Sequence, residues 1–215
     1  VRLALREIRR TKLRFSLLAG AVGLLVFLIL FQSTLLSTLL SFFSGALGSQ
    51  SGTVVVYSED ARKNPEGSIL PLATVDAVAG VGAAGPFGVD TMTARAGGEE
   101  LDVALLGYRL DGPGRPTTLV SGRLPRDGGE GVASDIDADR GFAVGDTVRI
   151  VGPDGTLPIR IVGLARDIRF SVQPGVFVSY ETFEDASRVK NPDALAILPS
   201  MVVATPDLGV APSTV

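Results

Sequence analysis

No charged side chain occurs from Phe15 to Ser58, a run of 44 residues, and a gap of that length divides the chain between two solvents. From Leu17 to Phe31 nothing is more polar than glycine. Residues 15–36 span roughly 33 Å as a helix rising about 1.5 Å per residue, enough to cross a hydrocarbon core of about 30 Å. A cleaved signal peptide is the competing reading, with Ala46 and Gly48 as small residues near a cleavage point. The apolar part of a signal is only about 7–15 residues, so a retained transmembrane helix is expected.

The flanks orient that helix. Residues 1–14 carry Arg2, Arg6, Arg9, Arg10, Lys12 and Arg14 against Glu7. Of the 20 basic and 23 acidic residues in the chain, 14 and 22 lie beyond this segment, so the formal charge of −3 hides a basic foot and an acidic body. Basic flanks stay on the cytoplasmic side, which places the N-terminus inside and the main domain outside the cell membrane. A short basic run abutting an apolar span is a topology signal rather than a nucleic-acid patch; the lipid bilayer is the expected partner, and no nucleic acid is. Leu3, Leu5, Ile8 and Leu13 alternate with the arginines, which fits a short interfacial helix; a plain basic flank fits the same residues.

Beyond the span the pattern becomes amphipathic without a helix breaker. Leu35, Leu36, Leu39, Leu40, Phe42, Phe43, Ala46 and Leu47 fall on one stripe, and Ser33, Thr34, Ser37, Thr38, Ser41 and Ser44 on the other. A stalk leaving the membrane is expected, with an apolar seam that needs a partner helix; a tilted, longer span is the alternative. The chain divides into a basic segment (1–14), a transmembrane helix (15–36), a stalk and linker (37–52) and an extracytoplasmic domain (53–215).

That domain is expected to be α+β, built of short mixed elements. Thr53 to Ser58 reads as a buried strand and Leu72 to Val78 as a helix. Pro86 to Ala96 and Glu100 to Tyr108 form a hairpin about Gly97-Gly98, and Asp111-Gly-Pro-Gly-Arg-Pro116 is a loop or subdomain joint. Strands are expected at Gly131–Ser134, Asp146–Val151, Pro158–Leu164, Val176–Ser179 and Ile197–Thr205, with helices at Asp135–Phe142 and Tyr180–Arg188. The best later apolar stretch, Ala194 to Ala204, is too short for a second span.

The chain has no cysteine and no histidine. Disulfides and thiolate sites are excluded, and the usual near-neutral general base is missing. Gly80-Val-Gly-Ala-Ala-Gly85 matches the dinucleotide fingerprint in letters, but it follows a helix and precedes a strand, the reverse of the order that aims a helix N-terminus at a pyrophosphate; a helix stop and turn is expected. Asp135, Asp137, Asp139 and Asp146 have calcium-loop spacing, yet Arg140 stands where the sixth position needs glycine. Helix-capping aspartates are expected instead. Lys63 and Lys190, the lysines outside the foot, lie in no serine–lysine motif. No catalytic, cofactor-binding or metal residue is assigned, no cofactor is expected, and the chain is not read as an enzyme.

Leu3-Ala-Leu-Arg-Glu-Ile-Arg-Arg-Thr-Lys-Leu-Arg14, Gly122-Arg-Leu-Pro125, Gly131-Val-Ala-Ser134, Gly145-Asp-Thr-Val148, Ile161-Val-Gly163 and Val176-Phe-Val178 occur in an order that resembles the MacB-like and FtsX-like ABC-transporter permeases. The resemblance covers the first span and the extracytoplasmic core domain. It implies a permease subunit paired with a second copy or paralogue and driven by a separate cytosolic ABC ATPase, doing conformational work outside the membrane on an unidentified substrate or partner. Such permeases have three further spans after this domain, so a fragment, or else a diverged or split permease, is expected. A single-pass anchored binding or sensory module is the alternative.

Overall fold

A computed structural model describes residues 12–61, 67–79, 82–166, 168–170 and 172–206, with the side chains of 12–15, 36–47, 60, 72, 79, 82 and 206 left aside. The chain is α+β and forms two compact units, 1–41 and 42–215.

The first unit holds most of α1, Lys12–Gly48, 37 residues without a break. Among the described residues it is the one helix long and apolar enough to cross a membrane, and Ser16–Leu35 is its apolar window. Leucine, alanine and phenylalanine are compatible with the helix throughout. The side chains of this window bury nothing in the protein, and Leu17, Phe27 and Ile29 are each about 60–67% exposed. An apolar surface of that extent is at rest only in lipid or against another protein.

The second unit is built on strands β1 (Val54–Val56), β2 (Gly82–Ala96), β3 (Glu99–Tyr108), β4 (Leu119–Gly122), β5 (Glu130–Ser134), β6 (Thr147–Val151), β7 (Thr156–Ala165), β8 (Gly175–Ser179) and β9 (Met201–Pro206). With them stand helices α2 (Leu72–Ala79) and α3 (Tyr180–Lys190) and 3-10 helices at Glu59–Ala61 and Asp135–Arg140. Strands β2 and β3 make an antiparallel ribbon from Phe87↔Tyr108 to Ala96↔Glu99. Gly97 and Gly98 turn it with φ of +58° and +88°, the positive pair that a two-residue hairpin demands.

From that ribbon the pairings close on themselves. β3 meets β8 in parallel, β8 meets β5 antiparallel, β5 meets β7 in parallel, β7 meets β6 antiparallel, and β6 returns to β2 through Ala94↔Ile150 and Arg95↔Arg149. All six strands of the ring feed one core, including Met92, Leu105, Ala133, Ile150, Ile159 and Val176. Strand alternation sends the intervening residues to a second core around Phe87, Leu106, Tyr108 and Phe177. There Phe177 meets Phe87 and Tyr108 edge to face, with centroids 6.1 Å apart in both pairs. Helix α3 packs Phe183 and Ala186 into the first core. Its N-cap is Ser179, whose Oγ accepts the Thr182 N–H, and Arg188 and Lys190 stand at its negative C-terminal end.

The expected elements occur with shifted ends. The region 135–142 is a 3-10 helix ending at Arg140, where Gly141 takes a left-handed conformation. The strand expected at 197–205 starts only at Met201, because Pro199 has no N–H to offer a ladder and its carbonyl instead accepts the Leu70 N–H. Strand β4 is an addition; its four exposed residues show no alternation.

Candidate functional site

Gly48 ends α1, and the next residues are held down at once. The Ser49 carbonyl accepts both the Thr117 N–H at 2.8 Å and the Thr117 hydroxyl at 2.7 Å. The Ser51 N–H donates to Arg115 O at 2.9 Å, and Ser51 Oγ accepts the Gly114 N–H at 3.1 Å. Gln50 folds back on the peptide of Gly52, donating to its carbonyl and accepting its N–H. Ser49 and Gln50 are buried. The receiving loop, 109–118, contains the turn-rich stretch Asp111 to Pro116, which the sequence marks as a surface loop or a subdomain joint. Gly114 has φ +104°, and an added Cβ would lie 2.9 Å from Phe87 Cδ2 and 3.1 Å from Tyr108 Cβ. The receiver therefore rests directly on the second core. Burial pushes the Tyr108 phenol up to about 12, with Arg115 opposing slightly.

The same corner holds the last described strand. β1 pairs antiparallel with β9 through Val54↔Ala204 and Val56↔Val202, and the Thr53 N–H donates to Ala204 O. The chain thus enters this unit and runs out of β9 side by side.

A second charged centre sits on the 3-10 helix. Asp137 is completely buried, and its carboxylate is taken by two arginines: Arg169 Nε lies 3.0 Å from Oδ2 while its terminal nitrogen bonds Oδ1, and Arg140 Nη1 lies 3.3 Å from Oδ1. This bidentate pair raises the Arg169 guanidinium above its ordinary value.

These contacts decide what the calcium-like spacing means. Asp137 faces two fixed cations, and Asp146 Oδ2 accepts the Ala143 N–H at 2.9 Å. Asp139 and Asp146 do line an open groove of about 330 Å³ with Gly97, Ala138, Gly141 and Thr147, but among the described residues no group of three metal-ligating side chains converges. Asp135 and Asp137 do open the short helix, as the sequence suggests, but Ser134, not an aspartate, holds the N-cap position and makes no side-chain capping bond. Of the dinucleotide-like glycines, Gly82 and Gly85 lie in β2 after helix α2, so this part is strand rather than the expected turn; it pairs with β9 from Gly82↔Pro206 onward. Gly80 lies outside the described residues. Lys190 Nζ is spent on Asp90 and on Thr91 O, at 2.8 to 2.9 Å. Lys63, Arg6, Arg9 and Arg10 lie outside the described residues, and so do the side chains of the amphipathic stripe beyond Leu35.

Glu130 opens β5, and its Oε2 lies 2.7 Å from Nη1 of Arg123, the residue after β4, with the Arg126 N–H adding a bond at 3.0 Å. The Arg123 guanidinium holds the Glu130 carboxyl down to about 2 from 4.5. A small groove of about 180 Å³ beside this pair is lined by Arg123, Val144, Arg160 and Val162.

The sequence marks 111–116 as a surface loop or a subdomain joint and gives no sign of its partner. The signal lay in Ser49-Gln-Ser-Gly52, small and polar residues directly after the helix that can bond a neighbouring backbone.

Comparison with solved structures identifies the fold. The periplasmic region of MacB from Actinobacillus actinomycetemcomitans superposes with a TM-score of 0.52 at 15% identity, over 76% of this chain and 79% of that one. The extracellular domain of the ABC-type transporter YknZ from Gram-positive bacteria superposes with a TM-score of 0.49 at 17% identity, over 74% and 84%. No protein-family model matches the sequence, and no curated protein does. The fold expected from the ordered sequence motifs is the fold observed.

Proposed function

We propose that this chain is part of a permease subunit of a MacB- or FtsX-like ABC transporter: residues 15–36 span the cell membrane, 37–52 form the stalk and linker, and 53–215 are the extracytoplasmic core. The basic segment 1–14 lies in the cytoplasm. A cytosolic ABC ATPase hydrolyses ATP, a second permease copy or paralogue completes the dimer, and the domain does conformational work on an extracytoplasmic substrate or partner.

The observation that carries this reading is the pairing of β1 with β9. It brings the point where α1 hands over to the domain next to the strand from which the chain runs on, through Val54↔Ala204. A domain inserted between two membrane segments needs its two ends together, whereas a tethered terminal module has no such need. The MacB-like fold supports the same reading at the level of architecture. No catalytic role is part of the proposal.

Because the chain has no cysteine, single-cysteine variants test its orientation cleanly. A membrane-impermeant maleimide added to intact cells is expected to label Asp154→Cys and to spare Lys12→Cys; the opposite pattern refutes the orientation. Affinity purification of the natural full-length protein from its native membrane is expected to bring down an ABC ATPase. Purification without any ATPase points instead to an anchored binding or sensory module.

A further inference from the structure

Thr118, the last residue of the receiving loop before β4, makes a closed pair of bonds with Arg166. The Arg166 N–H donates to Thr118 O at 3.0 Å, and the Thr118 hydroxyl donates to Arg166 O. Three residues further, Arg169 grips Asp137 with two nitrogens. On either side of Arg169, Ile168 is completely buried and Phe170 nearly so in the second core. Reciprocal backbone bonds join Phe170 and Gln173, with Val172 held at φ 64°.

Four short segments are therefore linked end to end: 49–51 to 114–117, then through Thr118 to 166, and through Arg169 to the 3-10 helix at 135–140. The first follows the membrane helix directly. The last presents Ile136, 58% exposed, beside the fully buried Asp137. A buried carboxylate held by two arginines adds little to stability over a well-packed apolar substitute. What it does supply is one fixed position for the 3-10 helix.

We infer that Thr118 and Arg169 form a mechanical relay that couples the segment leaving the membrane helix to the position of the 3-10 helix and of the Ile136 surface it displays. The inference deepens the proposed function and rests on it only for the source of the displacement. The coupling itself is a property of this chain.

Hydrogen–deuterium exchange on the full chain in nanodiscs, without ATPase or nucleotide, measures it. Ser51→Ala with Thr117→Val removes two clamp bonds and leaves the backbone intact. Exchange is expected to rise about fivefold, the equivalent of roughly one neutral hydrogen bond, at 49–53 and 114–118 and also at 166–170 and 135–140. In a Thr118→Val background, which removes the hydroxyl bond and keeps the backbone one, the same pair is expected to add clearly less at 135–140. By reciprocity, Arg169→Lys is expected to raise exchange at 49–53. Three results overturn the relay: a rise confined to 49–53 and 114–118, an equal increment with and without Thr118→Val, or an equal rise at the uninvolved β6, which marks general loosening. Should the double variant not fold, Thr117→Val alone is read by the same criteria. A negative result here leaves the permease reading standing, and purification without an ATPase leaves the relay standing.

Discussion

Phe183 offers the sharpest test of how the helical face meets the sheet. Gly88 and Gly107 are register partners on β2 and β3, and both lie under the Phe183 side chain, which is 3% exposed. A Cβ on Gly107 would stand 2.6 Å from Phe183 Cγ, and one on Gly88 would stand 2.5 Å from its Cζ. Ordinary carbon contacts sit at about 3.5–4.0 Å, so Gly107→Ala forces α3 off the ribbon or the ring off its rotamer. Overpacking of this kind costs about 1–3 kcal/mol, and the value belongs at the upper end because the clash is with the first side-chain atoms and not with a flexible tip. Phe183→Ala alone costs about 3–5 kcal/mol through lost burial and the cavity left behind. In the double variant the new methyl occupies part of that cavity, so the two losses are expected to fall short of additivity by at least about 1 kcal/mol. Urea denaturation of the detergent-solubilised chain, followed by far-ultraviolet circular dichroism, gives all four corners of the cycle. Strict additivity would refute the packing argument, and so would a Gly107→Ala variant as stable as the parent.

Three further outcomes follow from the charged centres and the clamp. Glu130, lowered from 4.5 to about 2 chiefly by its bond to Arg123, contributes stability that is complete above its unfolded value and is lost as the pH falls from 4.5 towards 2. The shift sets a ceiling of about 3 kcal/mol, which solvent at the half-exposed Arg123 reduces to about 1 kcal/mol; acid titration of the midpoint in Glu130→Gln should show that component gone. Arg169→Met leaves the buried Asp137 carboxylate with the more distant Arg140 alone, for a loss of about 3 kcal/mol by thermal or urea unfolding, whereas a loss below about 1 kcal/mol would mean that Arg140 suffices. Gly114→Ala meets both a positive φ and the Phe87 ring, and a drop of about 2 kcal/mol is expected with increased proteolysis within 109–118.

Where local chemistry alone determined an element, the sequence displayed it. The Gly97-Gly98 turn needs two positive φ values whatever surrounds it, and it was legible together with its two strands. The long apolar helix was legible because the run without a charge from Phe15 to Ser58 and the apolar stretch Leu17 to Phe31 leave no helix breaker between them. Strand β4 was invisible because it packs neither face: Leu119, Val120, Ser121 and Gly122 are all exposed, and they are strand only because β7 lends them a ladder from Leu119↔Ala165 to Gly122↔Gly163. The start of β2 was hidden for a related reason. Gly82 to Gly85 has glycine and alanine where a strand favours branched residues, and tertiary pairing with β9 overrides that preference.

The candidate site divides along the same line. Asp135, Asp137 and Asp139 announce charge in sequence, but whether such a row binds a cation, caps a helix or anchors another element depends on a partner 32 residues away, Arg169. No local pattern encodes that distance. What the sequence does contain is the negative half of the answer: Arg140 occupies the turn position that a calcium loop reserves for glycine, and in the structure its guanidinium reaches the very carboxylate that the ion would have taken. A substitution that spoils one function can thus identify the other, since an arginine placed among aspartates at helical spacing has its counter-charge ready. The clamp is hinted at only by its polar run, in which Ser51 Oγ takes the Gly114 N–H; the Ser49 carbonyl that accepts both Thr117 donors is a backbone acceptor, which leaves no trace in the residue chosen, and the topology that brings 117 to 49 reveals that bond.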